Sequence, residues 1–278
     1  MESAFWDRVV ADGHKVPADL PLADLTAELT TMLGDVDPYR RDQIAYPTLA
    51  TWVSEGVYDD LLAGLGDGMT AGLTVGIGEQ ETDSVFRRSF SVLVLGECVE
   101  RATNVDVVPD ETVLRWGDRI AGWLIRERDL RGFVPAKGWA HAVAHGADAL
   151  GTLAEHRAMG KLELTVLLDV IGDRLLAPTP YRFLHGEDDR LAAATMRILR
   201  RDAVALDVLE PWVARLTAAA LPSFENETDD PYLVAGNVQG YLRALHLQLA
   251  LAPNPPARRS DLLLVLIDAL KRANPSYL

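Results

Sequence analysis

Apolar residues return along most of this chain at the spacing of an α-helix. In the segment after Asp83, SVFRRSFSVLVLGECVERA, residues Val85, Phe86, Phe90, Leu93 and Val94 follow that spacing, with Asp83 as the cap. Asp110 opens a second such segment, ETVLRWGDRIAGWLIRE, and Ser260 opens DLLLVLIDALKRA, which Asn274-Pro275 ends. The run from Glu187 to Leu221 is rich in Ala, Leu and Arg, and Pro211 breaks it because its nitrogen cannot donate to the helical ladder. Gly186 and the acids Glu187, Asp188 and Asp189 mark its start, since carboxylates in a first turn face the positive end of the helix dipole. Further helices are predicted at 21–33, 38–55, 57–66, 138–156, 161–176 and 230–251, with Pro47 kinking or splitting the second. The best strand candidate, Leu73-Thr74-Val75, sits among Gly72, Gly76 and Gly78 and suits a loop better.

About eleven helices joined by short Gly/Pro/Asp turns, with no strand–helix alternation, predict an all-α fold. Helix pairs recur at roughly 40–50 residues, the spacing of HEAT-type repeats, without letter-by-letter self-similarity. The expected architecture is an irregular α-α superhelix of stacked, HEAT-like helix pairs, forming a single domain over residues 1–278. Trp6, Trp116, Trp123 and Trp212 read as its core anchors.

Composition narrows the classes of function. Of 278 residues 49% are hydrophobic, enough for a substantial core, which excludes a disordered chain and a small metal- or disulfide-stapled module. The one cysteine, Cys98, has no intramolecular partner for a disulfide. The start MESAFWDRVV has no basic stretch followed by an apolar one, and the longest apolar runs, such as Leu262 to Ile267, fall far short of a membrane span. The chain is therefore expected to be cytoplasmic. Lys and Arg number 27 against 41 Asp and Glu, a net charge of −14, so nucleic acid and anionic membrane are not expected as partners. The Arg pairs, such as Arg40-Arg41 and Arg87-Arg88, all have acids close by.

The chemistry-bearing stretch is ERDLRGFVPAKGWAHAVAHGAD, from Glu127 to Asp148. Projected as a helix at about 100° per residue, it places His141, His145 and Asp148 on one strip at i, i+4 and i+7. Lys137, Thr152 and Glu155 fall on the same side, and Trp139, Val143, Ala147 and Leu150 on the other. One reading is a solvated polar face. The other is a polar pocket, because His and Asp framed by Gly138, Ala144 and Gly151 let a ligand, a metal or another helix come close. Two imidazoles and a carboxylate can ligate Zn²⁺ or a similar divalent metal through His141, His145 and Asp148. The spacing lacks the glutamate of the metalloprotease helix, with Ala142 in its place. Alternatively Asp148 orients His145 for acid–base work. No serine or cysteine nucleophile sits in a recognisable elbow. Arg40, Arg41 and Asp42 precede Tyr46 and Trp52, aromatics that read as core packing, and Asn237 and Tyr241 read as a buried hydrogen-bonded pair.

The segments RDQIAYPTLATWV (41–53), DSVFRRSFSVLVL (83–95), ERDLRGFVPAKGWAHAVAHGADAL (127–150) and EDDRLA (187–192) resemble an uncharacterised bacterial family, domain of unknown function 2785. Its Lys-Gly-Trp-Ala-His and Ala-His-x-x-Asp elements are the most distinctive, and the resemblance runs from about Asp35 to His246. It implies a helical, HEAT-like fold and no established activity. It also implies that Arg88, Asp129, Arg131, Lys137, Trp139, His141, His145, Asp148 and Arg190 belong to the family pattern.

Two functions follow as expectations. The first is a binding or scaffold protein whose concave face holds a small molecule or a protein segment at the His141/His145/Asp148 strip. Lys137, Trp139, Asp129, Arg131, Arg88 and Arg190 would line that site. The second is a hydrolase with His145 and His141 as catalytic imidazoles, Asp148 as orienter or third metal ligand, and Lys137 or Arg131 as an anion clamp.

Overall fold

The computed structural model describes residues 3–222, 224 and 230–278. The chain is helical almost throughout. The helices are α1 (Ser3–Ala11), α2 (Leu22–Met32), α3 (Tyr46–Ser54), α4 (Leu62–Gly72), α5 (Ser84–Asn104), α6 (Asp110–Arg126), α7 (Ala142–Glu155), α8 (Lys161–Leu176), α9 (Glu187–Arg200), α10 (Leu206–Ala219), α11 (Tyr232–Leu251) and α12 (Arg259–Ala273). A π-helical stretch, Tyr39–Ala45, precedes α3, and a single 3₁₀ turn, Asp59–Leu61, precedes α4. Two short antiparallel strands, β1 (Phe133–Val134) and β2 (Gly138–Trp139), make a hairpin that periodicity did not reveal. Among the described residues no helix is long and apolar enough to cross a membrane.

The chain divides into two compact units, 1–149 and 150–278, with the boundary inside α7. In the first unit α5 is the central element, packed on α3, α4 and α6. It buries Val85, Phe86, Phe90, Val92, Val94, Leu95, Cys98 and Val99. The amphipathic pattern of α6 is clean: Val113, Trp116, Ile120, Trp123 and Leu124 recur at helical spacing and are all buried. In the second unit α11 packs on α8, α9, α10 and α12. There Asn237 and Tyr241 are buried and hydrogen-bonded, but to other partners. Asn237 Oδ1 accepts from Arg182 and from the Phe183 backbone, and Tyr241 shares its hydroxyl with Thr195 at 2.6 Å.

Several expected boundaries move for identifiable reasons. Pro47 does divide the 38–55 segment. It has no N–H to give back along the chain, so it sits in the first turn of α3, and the chain before it widens into the π-helical stretch. Pro211 does not end a helix. It lies inside α10, and the break comes earlier, after α9, where Asp202 takes a left-handed φ of 49°. Asp83 stands at the N-cap of α5 without a side-chain cap bond, its carboxylate being engaged by Lys137 instead. The helix expected over 138–156 begins only at Ala142, because Gly138 and Trp139 are drawn into the hairpin. Leu73-Thr74-Val75 is a turn.

Candidate functional site

The site grows from the hairpin. The Lys137 N–H closes its turn on the Val134 carbonyl at 3.0 Å, and the chain reverses through Ala136 and Gly138 at φ of 63° and 80°. Pairing continues past the strands: Ala140 N–H reaches the Gly132 carbonyl at 2.8 Å and His141 N–H the Arg131 carbonyl at 3.1 Å. His141 then turns the chain with φ of 51°, and its own carbonyl accepts the first bond of α7 from His145 at 2.9 Å. A non-glycine residue in this conformation costs about 1–2 kcal/mol. His141 is thus the hinge between hairpin and helix, and not a member of the helical face on which the sequence projection placed it.

That hinge stacks the imidazole of His141 on the indole of Trp139, with centroids 4.4 Å apart and planes 28° from parallel. Trp139 lies opposite Phe133 in the strand register and meets it edge to face at 5.0 Å. His141 is 9% exposed, Trp139 41%. The projection had put Trp139 on the core side; the hairpin turns it outward. One turn on, His145 is buried, perpendicular to His141 at 5.8 Å and edge-on to Phe90 at 5.1 Å. Its Nδ1 lies 3.1 Å from the Ser89 carbonyl of α5. A carbonyl only accepts, so Nδ1 is the donor in this contact. The backbone of α5 thus orients the ring at Nδ1. Asp148 is half-buried on α7.

Among the described residues no group of three or more His, Cys, Asp or Glu side chains is arranged to hold a metal ion. Cys98 offers no nucleophile: it is fully buried, and burial pushes its thiol far above the ordinary range.

The basic residues expected to clamp a ligand are engaged within the protein. Arg88 is completely buried and bidentate to Glu127, with Nε–Oε2 of 2.5 Å and Nη2–Oε1 of 2.9 Å. Its Nη1 donates to the Val75 and Gly76 carbonyls and to Ser84. Glu127 also accepts from Trp123 Nε1 and from the backbone of Arg128 and Asp129. Arg131 grips Asp129 at 2.6 and 2.8 Å and the Thr82 carbonyl at 2.7 Å. Lys137 Nζ donates to Asp83 at 2.6 Å. These contacts moor the hairpin to the start of α5. Arg190 stands in the first turn of α9, in the second unit.

Sequence reasoning missed the other wall. Arg41, in the π-helical stretch, is buried with its guanidinium over Phe86 (4.2 Å) and Phe90 (4.9 Å). It donates to Asp42, to the Asp35 carbonyl and, at 2.7 Å, to the Lys137 carbonyl in the hairpin turn. Glycine suits position 138, where φ is 80° and a Cβ would stand 3.1 Å from both Arg41 Nη2 and the Pro38 Cβ. Burial lowers the Arg41 pKa while Asp42 acts to raise it. From α3, Tyr46 meets Phe90 edge-on at 6.4 Å and donates to Glu97 Oε1 at 2.8 Å. Rings and polar groups thus run continuously from Phe133 and Trp139 through His141, His145 and Phe90 to Tyr46 and Glu97.

A family model described as Protein of unknown function (DUF2785) matches residues 73–247. The chain belongs to this family. The DUF2785 match contains the hairpin, both histidines and α5, but begins after Arg41 and Tyr46, so the 41–53 segment lies outside it. No curated protein and no solved structure matches the chain.

Proposed function

We propose that this DUF2785 protein is a helical binding or scaffold protein that holds a small molecule or a segment of a partner chain at the Trp139–His141–His145 cluster. In this reading the helices stack as HEAT-like pairs in a single cytoplasmic domain, with the cluster and Asp148 on the concave face. Neither nucleic acid nor membrane is its partner, in keeping with a net charge of −14. The observation that carries the reading is the outward-facing Trp139, braced by a buried imidazole. An indole held in one orientation offers a large contact area with little freedom left to lose, the property expected of a binding anchor. Two left-handed non-glycine residues, Ala136 and His141, hold that geometry, and such strain gathers where a site must be preorganised.

The tryptophans supply the test. Trp6, Trp52, Trp116, Trp123 and Trp212 are all 6% exposed or less, so acrylamide quenching of the native protein reads Trp139. A fragment library screened for protection of that signal should give hits whose affinity, followed by calorimetric titration, falls about tenfold in W139A and H141A, as expected for loss of an aromatic contact worth about 0.5–1.5 kcal/mol beyond its buried area. Hits that bind both variants unchanged would reduce the cluster to ordinary surface.

A further inference from the structure

The first unit also holds a groove of about 360 Å³ bordered by α2 and α4. Buried Tyr58, Leu65 and Met69 form its base. The exposed residues Ala23 and Ala27 of α2, and Gly64 and Gly68 of α4, line its sides. No charged side chain is among the lining residues; their polar side chains are Thr26, Thr30 and Tyr58.

The glycines show that the groove is kept open at the expense of the helix. Four of the 11 residues of α4 are glycine. Two have a reason inside the fold, because a Cβ on Gly66 would run into the Trp116 ring and one on Gly72 into Ser91. Gly64 and Gly68 have no such reason: a Cβ on either would meet no atom within 4 Å. Alanine at either place would make the more stable helix. The two stand four residues apart on one face, and the space they leave belongs to the groove. The polar pair at the base is equally specific. Thr26 donates its hydroxyl proton to the Leu22 carbonyl at 2.7 Å, so Tyr58 is the donor in its 2.8 Å contact with Thr26. The Tyr58 oxygen keeps its lone pairs and has no proton left to give. Burial pushes its pKa up to about 12, so the hydroxyl is neutral at pH 7.

We propose that this groove binds a neutral, largely apolar small molecule with one hydrogen-bond donor, the donor meeting the Tyr58 oxygen and the apolar body lying over Leu65 and Met69. An ion would lose water here and find no opposite charge among the lining side chains. The volume falls in the range of about 300–1,000 Å³ of small-molecule sites. A protein partner needs about 800 Å² of surface on each side. Neither α2 nor α4 exposes a large apolar side chain to such a partner, and Leu61, just before α4, already lines the groove.

1-Naphthol, 1-methoxynaphthalene, 1-naphthoate and 1-naphthylmethylammonium share one ring system and differ in donor and charge. In calorimetric titration of the full chain, 1-naphthol should bind most tightly. 1-Methoxynaphthalene should bind about fivefold more weakly, for want of one hydrogen bond, and the two ions least. Y58F should bring 1-naphthol down to the level of 1-methoxynaphthalene and leave the latter unchanged. G64L fills the groove from a position that meets nothing, and should abolish 1-naphthol binding with the thermal midpoint at or above that of the parent. Ions that bind as tightly as 1-naphthol would overturn the proposal, as would the lack of any binding sensitive to G64L. An unaltered 1-naphthol affinity in Y58F would overturn the role given to the Tyr58 oxygen. A chain that sediments as a dimer, and as a monomer in G64L, would show that the groove seats a second copy instead.

Discussion

Arg88 and Glu127 hold opposite full charges at positions with no solvent exposure. Every polar atom of the pair is satisfied, by each other, by the Val75 and Gly76 carbonyls, by Ser84, by Trp123 and by backbone N–H groups. Such a pair adds little beyond what well-packed apolar residues would give, but removing one member strands the other in a medium that cannot solvate it. E127A should therefore cost about 3–5 kcal/mol, read as a fall in the urea midpoint with an unchanged slope. The double variant R88M/E127A should recover only part of this, because Trp123 Nε1 and two backbone N–H groups would still lack their acceptor. A single-variant loss below about 1 kcal/mol would mean that water reaches the pair. At this scale the sequence was half legible. His141 and His145 stood out because they are close in the chain, whereas Tyr46 and Glu97 are 51 positions apart and Arg41 and the Lys137 carbonyl 96. No local pattern encodes those meetings; they are made by α3 and the π-helical stretch packing on or near α5.

The hairpin and α7 show where periodicity misleads at the level of elements. The letters GWAHAVAHGADAL fit a helix from Gly138 onward, and the intrinsic preferences of Ala and His do not forbid it. Pairing with Phe133 and Val134 takes the first two residues into a strand, and His141 supplies a left-handed turn in place of a helical one. The helix that results is also not two-faced. Ala142 through Ala147 are all buried, which a core helix tolerates because Gly146 lets α6 lie close: a Cβ there would stand 2.8 Å from Leu124. The turn residue Ala136 adopts φ of 63° at a cost that glycine would not bear. A136G should gain about 1–2 kcal/mol of relief in the folded state and lose about 0.4–1 kcal/mol to a looser unfolded chain. The expected net effect is a stabilisation of roughly 0.5–1 kcal/mol in a urea melt, with Trp139 quenching unchanged. A lower midpoint for A136G would show that the Ala136 side chain contributes packing that outweighs the strain.

For the molecule as a whole, the family match and the folded units do not coincide. The match spans 73–247, yet the first unit runs from residue 1 to 149 and builds its core from both sides of position 73. Leu25, Leu29, Ile44, Leu49, Trp52, Leu62 and Met69 are all buried and precede the match, and α3 and α4 cover α5. Arg41 lies over Phe86 and Phe90 and fixes the hairpin turn through the Lys137 carbonyl. In the second unit, α12 follows the match and packs on α10 and α11. All-α character was legible from one end of the chain to the other because helical periodicity needs no partner. Which helices complete a core depends on packing between segments far apart, and a boundary of similarity does not record it. A fragment of 73–247 would expose the apolar side of α5, with Phe86 and Phe90 losing the cover of Arg41 and Tyr46 at roughly 1.5–3 kcal/mol for each large side chain. Against a total stability of about 5–15 kcal/mol, a few such losses suffice to unfold a domain. The fragment should show helical circular dichroism with a broad, non-cooperative urea transition and a Trp139 no longer distinguishable from the other tryptophans by quenching. A sharp transition at the full-length midpoint would instead make the first 72 residues an addition to a core already complete without them.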